Sequence, residues 1–124
     1  MKALWIGVAG AAGALARYSV SLLIGPHSFP WATWVVNVVG SFALGAVMRI
    51  ASERHWTPDV TTIVAVGFVG AFTTFSTFAA ETVTLGDTDR LGTAAAYLVA
   101  SIVVGLAACR LGMSIGARVA RAAA

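Results

Sequence analysis

Gly67-Phe68-Val69-Gly70-Ala71-Phe72-Thr73-Thr74-Phe75-Ser76-Thr77-Phe78 is the stretch on which the fold turns. It lies within residues 60–80, a run of 21 residues without Asp, Glu, Lys or Arg. About 20 mostly apolar residues cross a hydrocarbon core of roughly 30 Å, so the run is long enough to span a membrane. Two glycines followed by β-branched threonines nevertheless make a poor helix. A break would free backbone carbonyls, and irregular backbone at membrane depth is tolerated only where protein or an aqueous cavity satisfies it. Carbonyls released in this way commonly coordinate a cation. The stretch therefore predicts a membrane span broken at its middle.

Working outward, residues 28–48 and 91–109 are further charge-free runs of 21 and 19 residues. The first segment is interrupted only by Arg17. The pattern predicts an all-α membrane protein with four transmembrane helices, at about 3–24, 31–50, 60–84 and 91–111, in a single domain covering 1–124. Composition agrees. The chain has 124 residues, 59% hydrophobic and only 10% charged, and a mean hydropathy of +0.88. A soluble domain needs a charged, mixed surface, so the lipid bilayer is the main solvent here. Lys2, the apolar run after it and Ala14-Leu15-Ala16 also have the form of a secretory signal peptide. Removing that segment would leave three spans and discard Gly7, Gly10 and Gly13, whose spacing suits close helix packing.

The loops carry their own signals. Gly25, Pro26 and Pro30 mark the first turn. Trp5, Trp31, Trp34 and Trp56 fall near span ends, where indoles favour the membrane interface. Thr57-Pro58-Asp59 reads as a helix start, with a capping hydroxyl, a proline at the first position and an acid at the positive end of the dipole. Cys109 is a single cysteine inside the fourth span and forms neither an internal disulfide nor a metal site. The net charge of +3 is small and scattered, so nucleic acid is not an expected partner.

Polar residues inside spans are costly and usually face protein or water. Thr33, Asn37 and Ser41 share one face of the second helix at a spacing of four. Tyr97, Ser101, Gly105 and Cys109 share a face of the fourth, and Thr73, Thr74, Ser76 and Thr77 cluster in the third. Single hydroxyls often bond their own helix backbone, but a buried amide such as Asn37 has two donor hydrogens and an acceptor to satisfy. Three such groups in a short chain favour a polar path. Phe75 and Phe78 can face the same way, and their positive ring edges beside hydroxyl and amide donors suit a small, strongly hydrated anion.

These residues carry a resemblance. Gly10-Ala11-Ala12-Gly13-Ala14-Leu15-Ala16-Arg17-Tyr18, Asn37-Val38-Val39-Gly40-Ser41-Phe42 and the run ending at Phe78 resemble, in order, the motifs of the Fluc (CrcB) fluoride channels. The resemblance covers almost the whole chain, and its third motif is the specific one. It implies a fluoride-selective channel, not an enzyme, that lets fluoride leave the cytoplasm passively across the cell inner (plasma) membrane. It also implies an antiparallel dimer with a second subunit, the same or related, in the opposite orientation. Two pores would run along the subunit interface. A structural sodium ion (Na+), not transported, would sit at the centre on the backbone carbonyls of Gly70 and Thr73. Phe75 and Phe78 would be the pore phenylalanines and Asn37 the pore amide. Thr33, Thr77, Tyr97 and Ser101 would lie along the polar path, with Glu81 near one pore end. Arg17 matches the first-span arginine, although snorkelling to the interface is an equally good reading.

Two features depart from that pattern. Gly105 stands where a further hydroxyl is expected. With the N-terminus inside, Lys2, Arg49, Arg54, Arg110, Arg118 and Arg121 are inside and only Arg90 lies in an outer loop, six against one with Arg17 uncounted. Lys and Arg set orientation, so this chain is expected to favour one direction. The alternative functions are a four-helix small multidrug-type exporter and a non-transporting membrane scaffold. The exporter needs an intramembrane carboxylate to couple protons to a cationic drug, and the first span has none. The scaffold leaves the Thr-Thr-Phe-Ser-Thr-Phe cluster without a purpose.

Overall fold

The computed structural model describes residues 1–122. The described chain is helical throughout: α1 (Lys2–Ile24), α2 (Trp31–Glu53), α3 (Pro58–Thr62), a π-helical segment (Ile63–Val69), α4 (Gly70–Phe72), α5 (Phe75–Asp87) and α6 (Leu91–Ala122). Four stretches are long and apolar enough to cross a membrane: Lys2–Ile24, Trp31–Glu53, Pro58–Asp87 and Leu91–Ala122. The last has 32 residues, so the helix outruns the apolar stretch that ends near residue 111.

Local chemistry sets the ends. Gly25 closes α1 at φ 70°, where a side chain would be strained, and its N–H donates to the Ser21 carbonyl at 3.0 Å. The helix start read at Thr57-Pro58-Asp59 forms as expected, with Thr57 Oγ1 accepting from the Val60 N–H at 3.4 Å and Pro58 in the first turn. Lys2 pairs with Asp59 at 2.6 Å, tying the start of α1 to the start of α3; both side chains are exposed, so the pair contributes little.

Two parallel helix pairs form the bundle. In the first, α1 lies along the π-helical segment and α4. A Cβ on Gly13 would run into the Phe68 carbonyl, and one on Gly67 would meet Ala9 Cβ at 3.0 Å and the Ile6 carbonyl at 3.1 Å. In the second, α2 and α6 make the most extensive contact in the molecule. Gly45 abuts the Cys109 backbone, Gly112 the Phe42 carbonyl, and Gly116 the Ala46 carbonyl. Without a hydrophobic drive between helices in lipid, such backbone approaches supply the packing attraction. Gly112 and Gly116, which fall beyond the end expected for the fourth span, are thus packing residues. Gly7 meets nothing within 4 Å, so its place in the glycine pattern has no partner among the described residues.

Near the middle of Pro58–Asp87 the backbone departs from the α-helix twice. Residues Ile63–Val69 widen into π geometry, with the Gly70 N–H reaching the Ala65 carbonyl five residues back. Then Thr73 (φ −82°, ψ 163°) and Thr74 (φ −148°, ψ 120°) are extended before α5 begins at Phe75.

Candidate functional site

The extended pair is held from outside its own helix. Thr74 donates its N–H to Asn37 Oδ1 at 2.8 Å, and Asn37 Nδ2 donates to the Thr74 carbonyl at 3.0 Å. The side-chain amide of α2 thus pairs with the backbone as a neighbouring strand would, satisfying both groups that the helix leaves behind. Thr74 Oγ1 also caps α5 by accepting from the Thr77 N–H at 3.2 Å, and it donates to Thr77 Oγ1 at 3.0 Å. Gly40 makes room for the other extended residue, because a Cβ there would occupy the space of Thr73 Cγ2.

Around this point lies a groove of about 280 Å³ bordered by Asn37, Ser41, Thr73, Thr74, Phe75 and Phe78, with Gly40, Leu44 and Gly70 among its other walls. It contains hydroxyl, amide and aromatic groups and no carboxylate. Phe75 is 80% exposed, and its ring centroid lies 6.1 Å from that of Phe78 at 45°. Phe78 packs in turn on Tyr97 at 5.0 Å.

Two more cavities continue along α5. One, of about 270 Å³, has Arg17, Tyr18, Thr33, Thr74 and Thr77 on its wall. The other, of about 390 Å³, is bordered by His27, Trp31, Thr77, Glu81 and Arg90. Thr74 is common to the groove and the first of these, and Thr77 to both flanking cavities. The two threonines therefore stand at the junctions of a chain of polar spaces.

Glu81 is engaged on both oxygens. Thr33 Oγ1 donates to Oε1 at 2.8 Å and the Tyr97 hydroxyl donates to Oε2 at 2.7 Å. Thr33 and Tyr97 are buried, and Phe29 meets Tyr97 edge to face at 5.4 Å. Residues separated widely in sequence as Thr33, Glu81 and Tyr97 thus form one cluster. Ser101 stands apart: its hydroxyl donates to the Tyr97 carbonyl of its own helix at 2.6 Å, and it does not border the groove. Arg17 Nη1 reaches the Thr73 carbonyl at 3.4 Å, a long bond that brings a positive charge beside the extended pair.

Among the described residues no group of three or more His, Cys, Asp or Glu gathers, so a cation here would depend on carbonyl oxygens. Gly70 meets that need, because the Thr74 N–H that would bond its carbonyl in a continuous α-helix goes to Asn37 instead. Its remaining contact is the Thr73 hydroxyl at 3.5 Å. The Thr73 carbonyl has a second lone pair beyond its long contact to Arg17. Neutral, hard oxygens of this kind suit a hard cation.

Thr74 was not singled out from sequence as a site residue, although it joins more of this network than any predicted one. Its signal was its place three residues before Thr77 at the start of an apolar helix, the pattern of a capping hydroxyl.

Residues 4–113 match the family described as CrcB-like protein, Camphor Resistance (CrcB). The chain belongs to the CrcB family. The match takes in α1 through most of α6 and every residue of the groove, so the four helices make a multi-pass membrane protein of that family. Among the relatives, the fluoride-specific ion channel FluC of Nitrosococcus oceani is 45% identical over 92% of this chain and 94% of its own. The FluC of Acidobacterium capsulatum is 38% identical over 96% and 98%, and that of Nitratidesulfovibrio vulgaris 40% identical over 93% and 96%. The match begins at residue 4 and so includes nearly all of the first helix.

Proposed function

We propose that this protein is a fluoride-selective channel of the cell inner (plasma) membrane that lets fluoride leave the cytoplasm passively. The observation that carries this reading is the groove at Thr73 and Thr74. It combines polar groups with phenylalanine rings, lacks a carboxylate, and lies in a chain whose relatives are named fluoride-specific channels. A small hydrated anion must exchange water for donors of comparable strength. Hydroxyls, an amide hydrogen and positive ring edges offer this without a fixed positive charge that would trap the ion. Arg17, beside the second cavity, raises the local potential for anions.

The extended pair acts as the helix break of the third span. It leaves the Gly70 carbonyl without its helical N–H partner, and a sodium ion is the cation that the Gly70 and Thr73 carbonyls would hold. When bound, the ion would fix the two carbonyls against one another. One chain offers two oxygens, fewer than hard cations take, and a two-fold partner would double them. The partner is a second subunit, the same or related, inserted in the opposite direction. A polar groove with Phe75 at its rim faces lipid poorly, and such a subunit would cover it. Thr73→Ser should preserve the ion because its ligand there is backbone. In thermal unfolding, sodium should raise the midpoint of both proteins relative to a bulky organic cation. Equal midpoints in the two salts would remove sodium from the account.

The proposal is tested in cells that have lost their own fluoride export. Expression of this chain should restore growth on fluoride-containing medium, with cytoplasmic fluoride lowered in step. Unchanged growth with the protein present in the membrane would count against it.

A further inference from the structure

Beyond the groove, towards the C-terminal end of α2, helices α2 and α6 leave a cavity of about 320 Å³ lined by Arg49, Arg110, Met113, Ser114 and Ala117. Its charges are unbalanced. Glu53 Oε1 accepts from Arg49 Nη2 at 2.7 Å, whereas Arg110 makes no ion pair among the described residues. Arg49 Nε is sealed from solvent without a hydrogen-bond partner. Two guanidinium groups thus border one cavity, and only Arg49 is paired with a carboxylate. The Ser114 hydroxyl donates to the Arg110 carbonyl at 3.0 Å, so recognition of a ligand here falls to the arginines.

Depth identifies the ligand. Arg49 ends the charge-free run 28–48 and Arg110 ends the charge-free run 91–109. The two helices run parallel, with Gly45 against Cys109 and Gly116 against Arg49 Cβ, so both arginines lie within about one helical turn of each other at the end of the apolar stretch. Leu111 and Met113 beside them are exposed and suited to acyl chains. Arg54, Arg118 and Arg121 follow at the same end of the bundle, also without ion pairs among the described residues. The guanidinium fork matches phosphate oxygens, and basic pockets between membrane helices hold phospholipid headgroups.

We propose that this cavity binds the phosphodiester headgroup of an anionic phospholipid, with Arg49 and Arg110 on its phosphate oxygens. A free phosphate shares the chemistry, but it would have to leave water for the hydrocarbon edge, where lipid phosphates already reside. The site is separate from the groove and stands whether or not the channel reading holds.

Native mass spectrometry of the purified protein, offered equal phosphatidylglycerol and phosphatidylcholine, tests it. Phosphatidylglycerol should be retained in preference. Arg110 is exposed, so Arg110→Gln should fold, keep its helical circular dichroism and lose about fivefold in phosphatidylglycerol occupancy, while Arg110→Lys should keep most of it. Arg49→Gln should show a loss in the same direction. Equal retention of the two lipids, or unchanged occupancy in both glutamine variants, would overturn the proposal. Displacement of the lipid by millimolar inorganic phosphate would also overturn it, assigning the cavity to the free ion.

Discussion

Asn37 meets Thr74 with both ends of its amide, at 2.8 and 3.0 Å. Its sequence signal was an amide too polar to lie idle in an apolar helix, and that much was legible. Its partner was not, because a side chain 37 positions away that pairs with backbone leaves no local pattern. Asn37→Leu should strand the Thr74 N–H and carbonyl, each costing about 1–3 kcal/mol when unpaired and buried, and chemical or thermal unfolding should read the loss. Thr33 and Tyr97 were visible as polar residues on apolar faces and Glu81 only through the family resemblance, but the carboxylate joining the two hydroxyls is a product of the fold. The phenylalanines invite a different test. Phe75→Ile and Phe78→Ile keep apolar bulk and remove the positive ring edge. Fluoride flux should fall well below that of the parent chain, and assembly measured by cross-linking should change little. Normal flux in both variants would reduce the rings to packing.

The third span shows how far local pattern reaches. Gly67, Gly70 and the threonines after them announce weak helix, and the extended residues fall at Thr73 and Thr74. The π-helical widening of Ile63–Val69 was not legible. Gly67 there lies against Ile6 and Ala9 of α1, a contact that sequence periodicity does not encode. The last turns of α6 were hidden for a similar reason. With arginines at 110, 118 and 121 they read as a tail, yet Gly112 and Gly116 pack on the α2 backbone. Gly112→Ala should therefore force α2 and α6 apart, costing about 1–3 kcal/mol as overpacking does. Gly92→Ala, where nothing lies within 4 Å, should be neutral or stabilising by up to about 1 kcal/mol through helix propensity. Unfolding of the two variants side by side distinguishes backbone contact from a general intolerance of alanine.

For the whole molecule, the parallel pairs bring the start of α1, the end of α2, the start of α3 and the end of α6 to one side, as the Lys2–Asp59 pair and the Gly116–Ala46 approach require. That side carries Lys2, Arg49, Arg54, Arg110, Arg118 and Arg121, against Arg90 in the opposite loop. Lys and Arg near span ends set orientation, so most copies should insert with the N-terminus in the cytoplasm. Reporters fused to the C-terminus should give mainly cytoplasmic signal, and comparable signal from both sides would show dual insertion. Under the proposed antiparallel pairing, a strong bias would place the opposite subunit on a related chain, whereas dual insertion would let this chain serve as both. The central claim, that the donor-lined groove conducts fluoride passively, is tested most directly by ion efflux from liposomes containing this protein, with its related subunit added if orientation proves fixed. Fluoride should be released down its gradient with no dependence on a proton gradient, and chloride should be retained. Chloride release at the same rate, or no fluoride release from a correctly paired assembly, would contradict it.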